Sequence, residues 1–235
     1  MTTTTNSFPT RNHFLKLLNF LSKVLMVGGI VIGVGWLLGT QPAWVVQLSS
    51  VLGITDKTPW YLSRSAGTVA YLLLAGSTIW GLLLSTKIVK EMVPAALALA
   101  MHNILSWLAV AFTGVHVLSL LFDNFYTYTL SDLTIPFIGP YRPGWVGLGI
   151  IGFYLMFLTS ISFNFRKQIG QQRWRQLHYL TFVVYILVTI HGVMAGTDSG
   201  NPGMRILYLG SGLLVFFLTN YRLLSGKQEK SAVRK

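Results

Sequence analysis

Six apolar runs, each close to the length of a membrane-crossing helix, leave this 235-residue chain little freedom in what it can fold into. A helix needs about 20 mostly apolar residues to cross the hydrocarbon core, because each residue rises only about 1.5 Å. The runs lie at about 18–38, 66–84, 94–121, 145–165, 174–194 and 206–223. They predict an all-α membrane protein, a six-helix bundle over 18–223 with a polar lead (1–17) and a basic tail (224–235). The first run is the least regular, with Lys23 near its start and a glycine-rich centre. A signal peptide is the alternative there, but no small-x-small cleavage site follows, which favours a retained helix.

Charge orients the bundle. Only 10% of residues are charged, yet the net charge is +12. The basic residues cluster in the links between runs rather than along one face, which argues against nucleic acid and for a basic membrane surface. Alternate links and the two ends carry fourteen Lys and Arg, including Lys87, Lys90, Arg166, Lys167, Arg173, Arg175 and Arg222. The other links carry four, Lys57, Arg64, Arg142 and Arg205, together with Asp56, Asp123, Asp132 and Asp198. By the positive-inside rule both termini are expected in the cytoplasm, in the plasma membrane of a bacterium. The polar lead and the tail from Gly226 are expected to be disordered, with His13 a solvated residue.

Four of the five histidines lie inside the runs, as His102 and His116 in the third and His178 and His191 in the fifth. An ionisable residue at membrane depth is costly, and its default reading is functional. His102 and His116 are fourteen residues apart, about 21 Å along a helix and on nearly one face. Small residues, Ser106, Ala109 and Thr113, continue that stripe and leave room for a flat group. His178 and His191 are thirteen apart, about 20 Å, but an ideal helix sets them about 140° out of line. Both helices start on the cytoplasmic side, so His102 and His178 fall in the inner half of the membrane and His116 and His191 in the outer half.

Matched imidazoles without an accompanying carboxylate suit axial ligation of haem iron. The chain has no cysteine, which excludes disulfides, thiolate-held zinc, iron–sulfur clusters and covalent haem attachment. A histidine-dependent metal transporter is the alternative from another class, disfavoured because no H-E-x-x-H motif or intramembrane carboxylate is present. There is no Gly-rich phosphate loop and no domain for a flavin or nicotinamide. Gly29 and Gly33, and Gly149 and Gly152, read as close helix packing.

At these residues the chain resembles the ferric reductase-like transmembrane domain that ferric reductases and NADPH oxidases share. The likeness covers about 59–223. It implies two b-type haems, His102 pairing with His178 and His116 with His191, and electron transfer from a cytoplasmic-side donor to an external acceptor. The implied partners are a separate flavin reductase or quinol as donor, an external acceptor or reductase, and lipid, with no nucleic acid. The likeness also favours Arg64, at the outer end of the second run, as a partner for haem propionates. Arg175, and Arg173 beside it, are candidates for the inner haem, since a guanidinium forks onto a carboxylate. The stretches Leu158-Thr-Ser-Ile-Ser-Phe and Arg173-Trp-Arg-Gln-Leu-His178-Tyr, with Arg142-Pro143, are similar to the haem-binding membrane subunit of the bacterial methionine sulfoxide reductase system. That likeness implies an oxidoreductase subunit serving a periplasmic enzyme.

Aromatics between the ligand levels, Trp107, Phe112, Phe182 and Tyr185, are expected in the bundle core or between the cofactors. The segment from Asp123 to Pro143 reads as an aromatic cap at the membrane surface. Asp198, in the turn after His191, reads as a residue of a capped turn, the alternative being a part in an electron-acceptor site.

Overall fold

The computed structural model describes residues 55–86 and 93–233, with side chains through 225, and positions 47, 50, 51, 53, 88 and 89. The chain divides into two units, Met1–Thr55 and Asp56–Lys235. The second unit carries all four intramembrane histidines. The expected run at 18–38, the lead at 1–17 and His13 lie outside the described residues.

Among the described residues the second unit is helical, without strands. Its helices are α1 (Thr58–Ser85), α2 (Ala95–Ser119), α3 (Leu130–Thr134), α4 (Pro143–Ser162), α5 (Arg166–Ile169), α6 (Gln171–His178), α7 (Leu180–Ala195) and α8 (Pro202–Val233). Five stretches are long and apolar enough to cross a membrane: Thr58–Ser85, Ala95–Phe122, Pro143–Ile169, Gln171–Ala195 and Pro202–Ser225. They match the last five runs read from the sequence, and α1 begins eight residues earlier than its run. Pro59 sits in the first turn of α1, where a missing N–H costs nothing. Arg142, at φ 40°, turns the chain into α4, with Pro143 at its first position. The tail differs from expectation, because the backbone of α8 stays helical to Val233.

Helix pairing follows connectivity. α1 packs along α2, and α4 along α7, as short links favour antiparallel neighbours. Contacts of α1 with α7 and of α2 with α4 close these two pairs into a four-membered ring, and α8 packs on the outside against α1. The histidine helices α2 and α7 thus occupy opposite corners. The core of Tyr71, Leu74, Leu82, Ala109, Met156, Val184 and Leu218 lies among these helices. The outward face of α8 leaves Leu209, Leu213, Phe216 and Phe217 exposed, an apolar surface suited to lipid.

Polar side chains at membrane depth bridge the helices in two places. Trp80 donates to the Ala98 carbonyl (2.8 Å), tying α1 to α2. Tyr71, Tyr185 and Ser211 share a hydroxyl cluster with Thr189, at 2.9–3.3 Å, which joins α1, α7 and α8.

The segment between α2 and α4 is ordered by local hydrogen bonds. Asp123 accepts from the N–H groups of Phe125 (2.7 Å) and Tyr126 (3.0 Å). Thr129 and Asp132 form a reciprocal capping box on α3. The bonds from Thr129 hold the Asp132 carboxyl below its usual range. Burial, reinforced by Asp123, pushes the Tyr128 hydroxyl up to about 12.

Candidate functional site

The ring encloses two cavities, one for each histidine level. His116 and His191 line a cavity of about 510 Å³ with Arg64, Gly67, Tyr71 and Gly149. His102 and His178 line one of about 200 Å³ with Ser77, Gly81, Trp174, Arg175 and Arg222. Leu74 and Met156 line both, and so form the partition between the levels. Of the aromatics singled out in the sequence, Phe182 lines the smaller cavity. Trp107 instead packs edge-on against Phe157, with ring centroids 6.4 Å apart, and Tyr185 is buried in the core.

Each level brings one imidazole from α2 to face one from the α6–α7 span. The ring centroids of His102 and His178 are 6.0 Å apart, and those of His116 and His191 are 6.3 Å apart. These are the pairings that the resemblance implies. Two imidazoles on opposite sides of one metal, each bonded at about 2.0–2.1 Å, would have centroids about 6.3 Å apart.

A tight turn helps to resolve the thirteen-residue spacing of the second pair. α6 ends at His178 and α7 begins at Leu180. At the junction the Phe182 N–H bonds the Tyr179 carbonyl (3.1 Å), three residues back rather than four. A turn of that kind rotates about 20° more per residue than an α-helix. Over three residues this adds about 60°, reducing the ideal offset of about 140° to about 80°.

Three of the four imidazoles are fixed from behind by a backbone carbonyl. His116 Nδ1 is 2.8 Å from the Ser63 carbonyl, His102 Nδ1 is 3.1 Å from that of Ser77, and His191 Nδ1 is 2.9 Å from that of Trp145. A carbonyl only accepts, so each of these Nδ1 atoms carries the proton and donates it. Nε2 is then left with its lone pair, the state in which a neutral imidazole binds a metal. The Ser63 and Ser77 hydroxyls also lie 3.1 and 3.3 Å from the same Nδ1 atoms.

Glycines seat the same three rings. A Cβ on Gly67 would lie 3.0 Å from His116 Nδ1, one on Gly81 would lie 3.1 Å from His102 Cε1, and one on Gly149 would lie 2.7 Å from His191 Nδ1. These serines and glycines were not singled out as ligand supports from the sequence. The signal was nevertheless present, as Ser63-x3-Gly67 and Ser77-x3-Gly81 repeat fourteen residues apart, the spacing of His102 and His116. Gly149, read as a packing glycine, seats a ligand-helix histidine. Gly152 does pack closely, its missing Cβ lying 2.9 Å from Val188.

The arginines divide between the levels. Arg64 lines the larger cavity, where its Nε donates to Asp198 Oδ2 (2.6 Å), its Nη2 meets Asp198 Oδ1, and its guanidinium lies 3.9 Å over the Trp60 ring. Asp198 is therefore more than the turn residue read from the sequence. Its carbonyl accepts from Asn201 N–H (2.8 Å) while its carboxylate neutralises Arg64. Arg175 lines the smaller cavity with Arg222, which the sequence marks only as one of the basic residues. Arg173 does not line it.

Comparison of the chain with protein-family models, curated proteins and solved structures returns no match.

Proposed function

We propose that this chain is a transmembrane b-type cytochrome that passes single electrons through two stacked haems, from a cytoplasmic-side donor to an external acceptor. The observation that carries the reading is the repeated facing pair, two imidazoles about 6 Å apart at each of two levels, three of the four with Nδ1 committed to a carbonyl. Two facing neutral nitrogen donors at each level are a ligand set that would hold a haem iron. A tetrahedral zinc site would need further protein ligands, and among the described residues no group of three or more His, Cys, Asp or Glu is placed to hold a metal ion.

Bound haem would supply one-electron iron chemistry, and the chain's residues set its position and surroundings. His102 and His178 would hold one group, His116 and His191 the other. The carbonyls of Ser63, Ser77 and Trp145 orient the ligands, while Gly67, Gly81 and Gly149 let the rings lie close to the neighbouring helices. Leu74 and Met156 separate the levels and keep water from the path between them. Arg175 and Arg222 are available to propionates at one level, and Arg64 at the other in competition with Asp198. α2 is a continuous helix, so its ligands are about 21 Å apart along the axis, which divides the bilayer into short hops. Positive-inside orientation makes the His102/His178 level cytoplasmic. The donor is a separate flavin reductase or quinol, and the basic surface would attract an acidic protein donor. The acceptor is external, a ferric species or a periplasmic reductase, in the inner membrane of a bacterium.

Haem content tests the proposal. Full-length protein purified after expression with ample haem should contain close to two b-type haems per chain, with a six-coordinate spectrum. Colourless protein containing stoichiometric zinc would reject it in favour of a metal site.

A further inference from the structure

His178 differs from the other three intramembrane histidines. Its Nδ1 is buried without a hydrogen-bond partner, and among the described residues no glycine seats its ring. It stacks instead on Trp174, with centroids 5.1 Å apart and planes 22° apart, and the Trp174 Nε1 is likewise buried and unpartnered. The histidine is the last residue of α6, where the tight turn at Tyr179 begins.

The cause lies on α4. There Trp145 supplies the carbonyl and Gly149 the seat for His191. Fourteen residues further on stand Thr159 and Phe163, and the Phe163 ring packs against Trp174 (5.9 Å) where a glycine would have left room. The α-helix also ends there, giving way to a 3-10 turn at Phe163–Phe165. α1 repeats its serine–glycine support at both levels, and α4 supplies its own at one.

Charge is uneven in the same sense. At the His116/His191 level Arg64 is neutralised by Asp198. At the other level Arg175 and Arg222 line the cavity, and among the described residues no Asp or Glu does.

Resting on the two-haem reading, we infer that His178 is the weakly anchored ligand of the four, and that the level it shares with His102 holds the higher reduction potential. An imidazole that donates Nδ1–H to a carbonyl is a more basic ligand through Nε2 and favours ferric over ferrous iron. One level has two such ligands and the other has one. Unneutralised guanidinium groups favour the state with one less positive charge, which is again the ferrous one. The two effects add. With haem bound, reduction at this level would take one electron from the donor and turn Fe(III) into Fe(II), with no bond broken and the His178 proton retained. A half-reduced protein would hold its electron at the basic end, beside the docking surface for the donor. The second level would then fill only when a further electron arrives or an acceptor draws the first one on.

A potentiometric titration of purified full-length protein, between ferricyanide and dithionite with mediators, tests this. Two transitions are expected. His116→Leu should leave the higher and His102→Leu the lower. Arg222→Gln and Arg175→Gln, which keep all four ligands, should each shift only the higher transition downward. A single transition shared by both haems, the reverse assignment, or an Arg222→Gln shift confined to the lower transition would overturn the inference while leaving the two-haem reading intact. Protein that binds no haem would remove both.

Discussion

At the His116/His191 level each imidazole rests against a glycine and donates to a carbonyl, whereas at the His102/His178 level only His102 does. The cavities differ accordingly, about 510 Å³ against about 200 Å³. Only the larger falls within the range usual for a ligand site, about 300–1,000 Å³, so occupancy at the smaller would require its walls to move apart. The centroid separations are nearly equal at the two levels, so the difference lies in what stands behind and beside the rings. A ligand pair is set by two helices facing each other, but its rigidity is set by their neighbours. α1 serves both levels through a fourteen-residue repeat. α4 serves one because its own repeat fails at Phe163.

The strongest way to break this asymmetry is at Gly149. In Gly149→Ala the new methyl would overlap the His191 ring, at 2.7 Å, so the ring must shift or the helices part, at a cost of about 1–3 kcal/mol. Haem should be lost from the His116/His191 level and retained at the other, as read by haem-to-protein ratio and by the surviving spectral component. Gly76→Ala on α1 is the matched control, since nothing lies within 4 Å of its Cβ position. Loss of haem from that control would mean that helix substitution in general, rather than the ligand seat, is responsible.

A smaller effect is expected at the ion pair beside the larger cavity. The Arg64 and Asp198 side chains keep 29% and 35% of their exposure, so their pairing is screened and worth about 1 kcal/mol or less. Asp198→Asn should therefore barely change thermal stability. It should raise the reduction potential at the His116/His191 level alone, narrowing the gap between the levels. A large fall in melting temperature would show that the pair holds the end of α1 to the turn after α7 far more firmly than its exposure implies.

Much of this was legible in the sequence because its causes are local. The five described crossings follow from apolar length, and the two histidine levels from matched spacing on α2 and the α6–α7 span, while the pairing within each level is what the resemblance implies. The seats were harder to read. Gly67 and Gly81 resemble ordinary small residues of a membrane helix until α2 is placed against α1. The failed seat at Phe163 has no local signal at all, because Phe is unremarkable in an apolar run. Arg64 lines the His116/His191 cavity, but its neutralisation depends on Asp198, 134 residues away. The offset between His178 and His191 could be calculated from helix geometry, yet the tight turn at Tyr179 that reduces it could not.

Each level is one site built by two facing helical spans, and replacing the ligands one at a time checks this. His102→Leu and His178→Leu should each remove the same haem, leaving one haem per chain with an identical residual spectrum. His116→Leu and His191→Leu should each remove the other. If His102→Leu and His178→Leu instead removed different spectral components, the facing pairs would not be the ligand pairs and the two-level account would be contradicted.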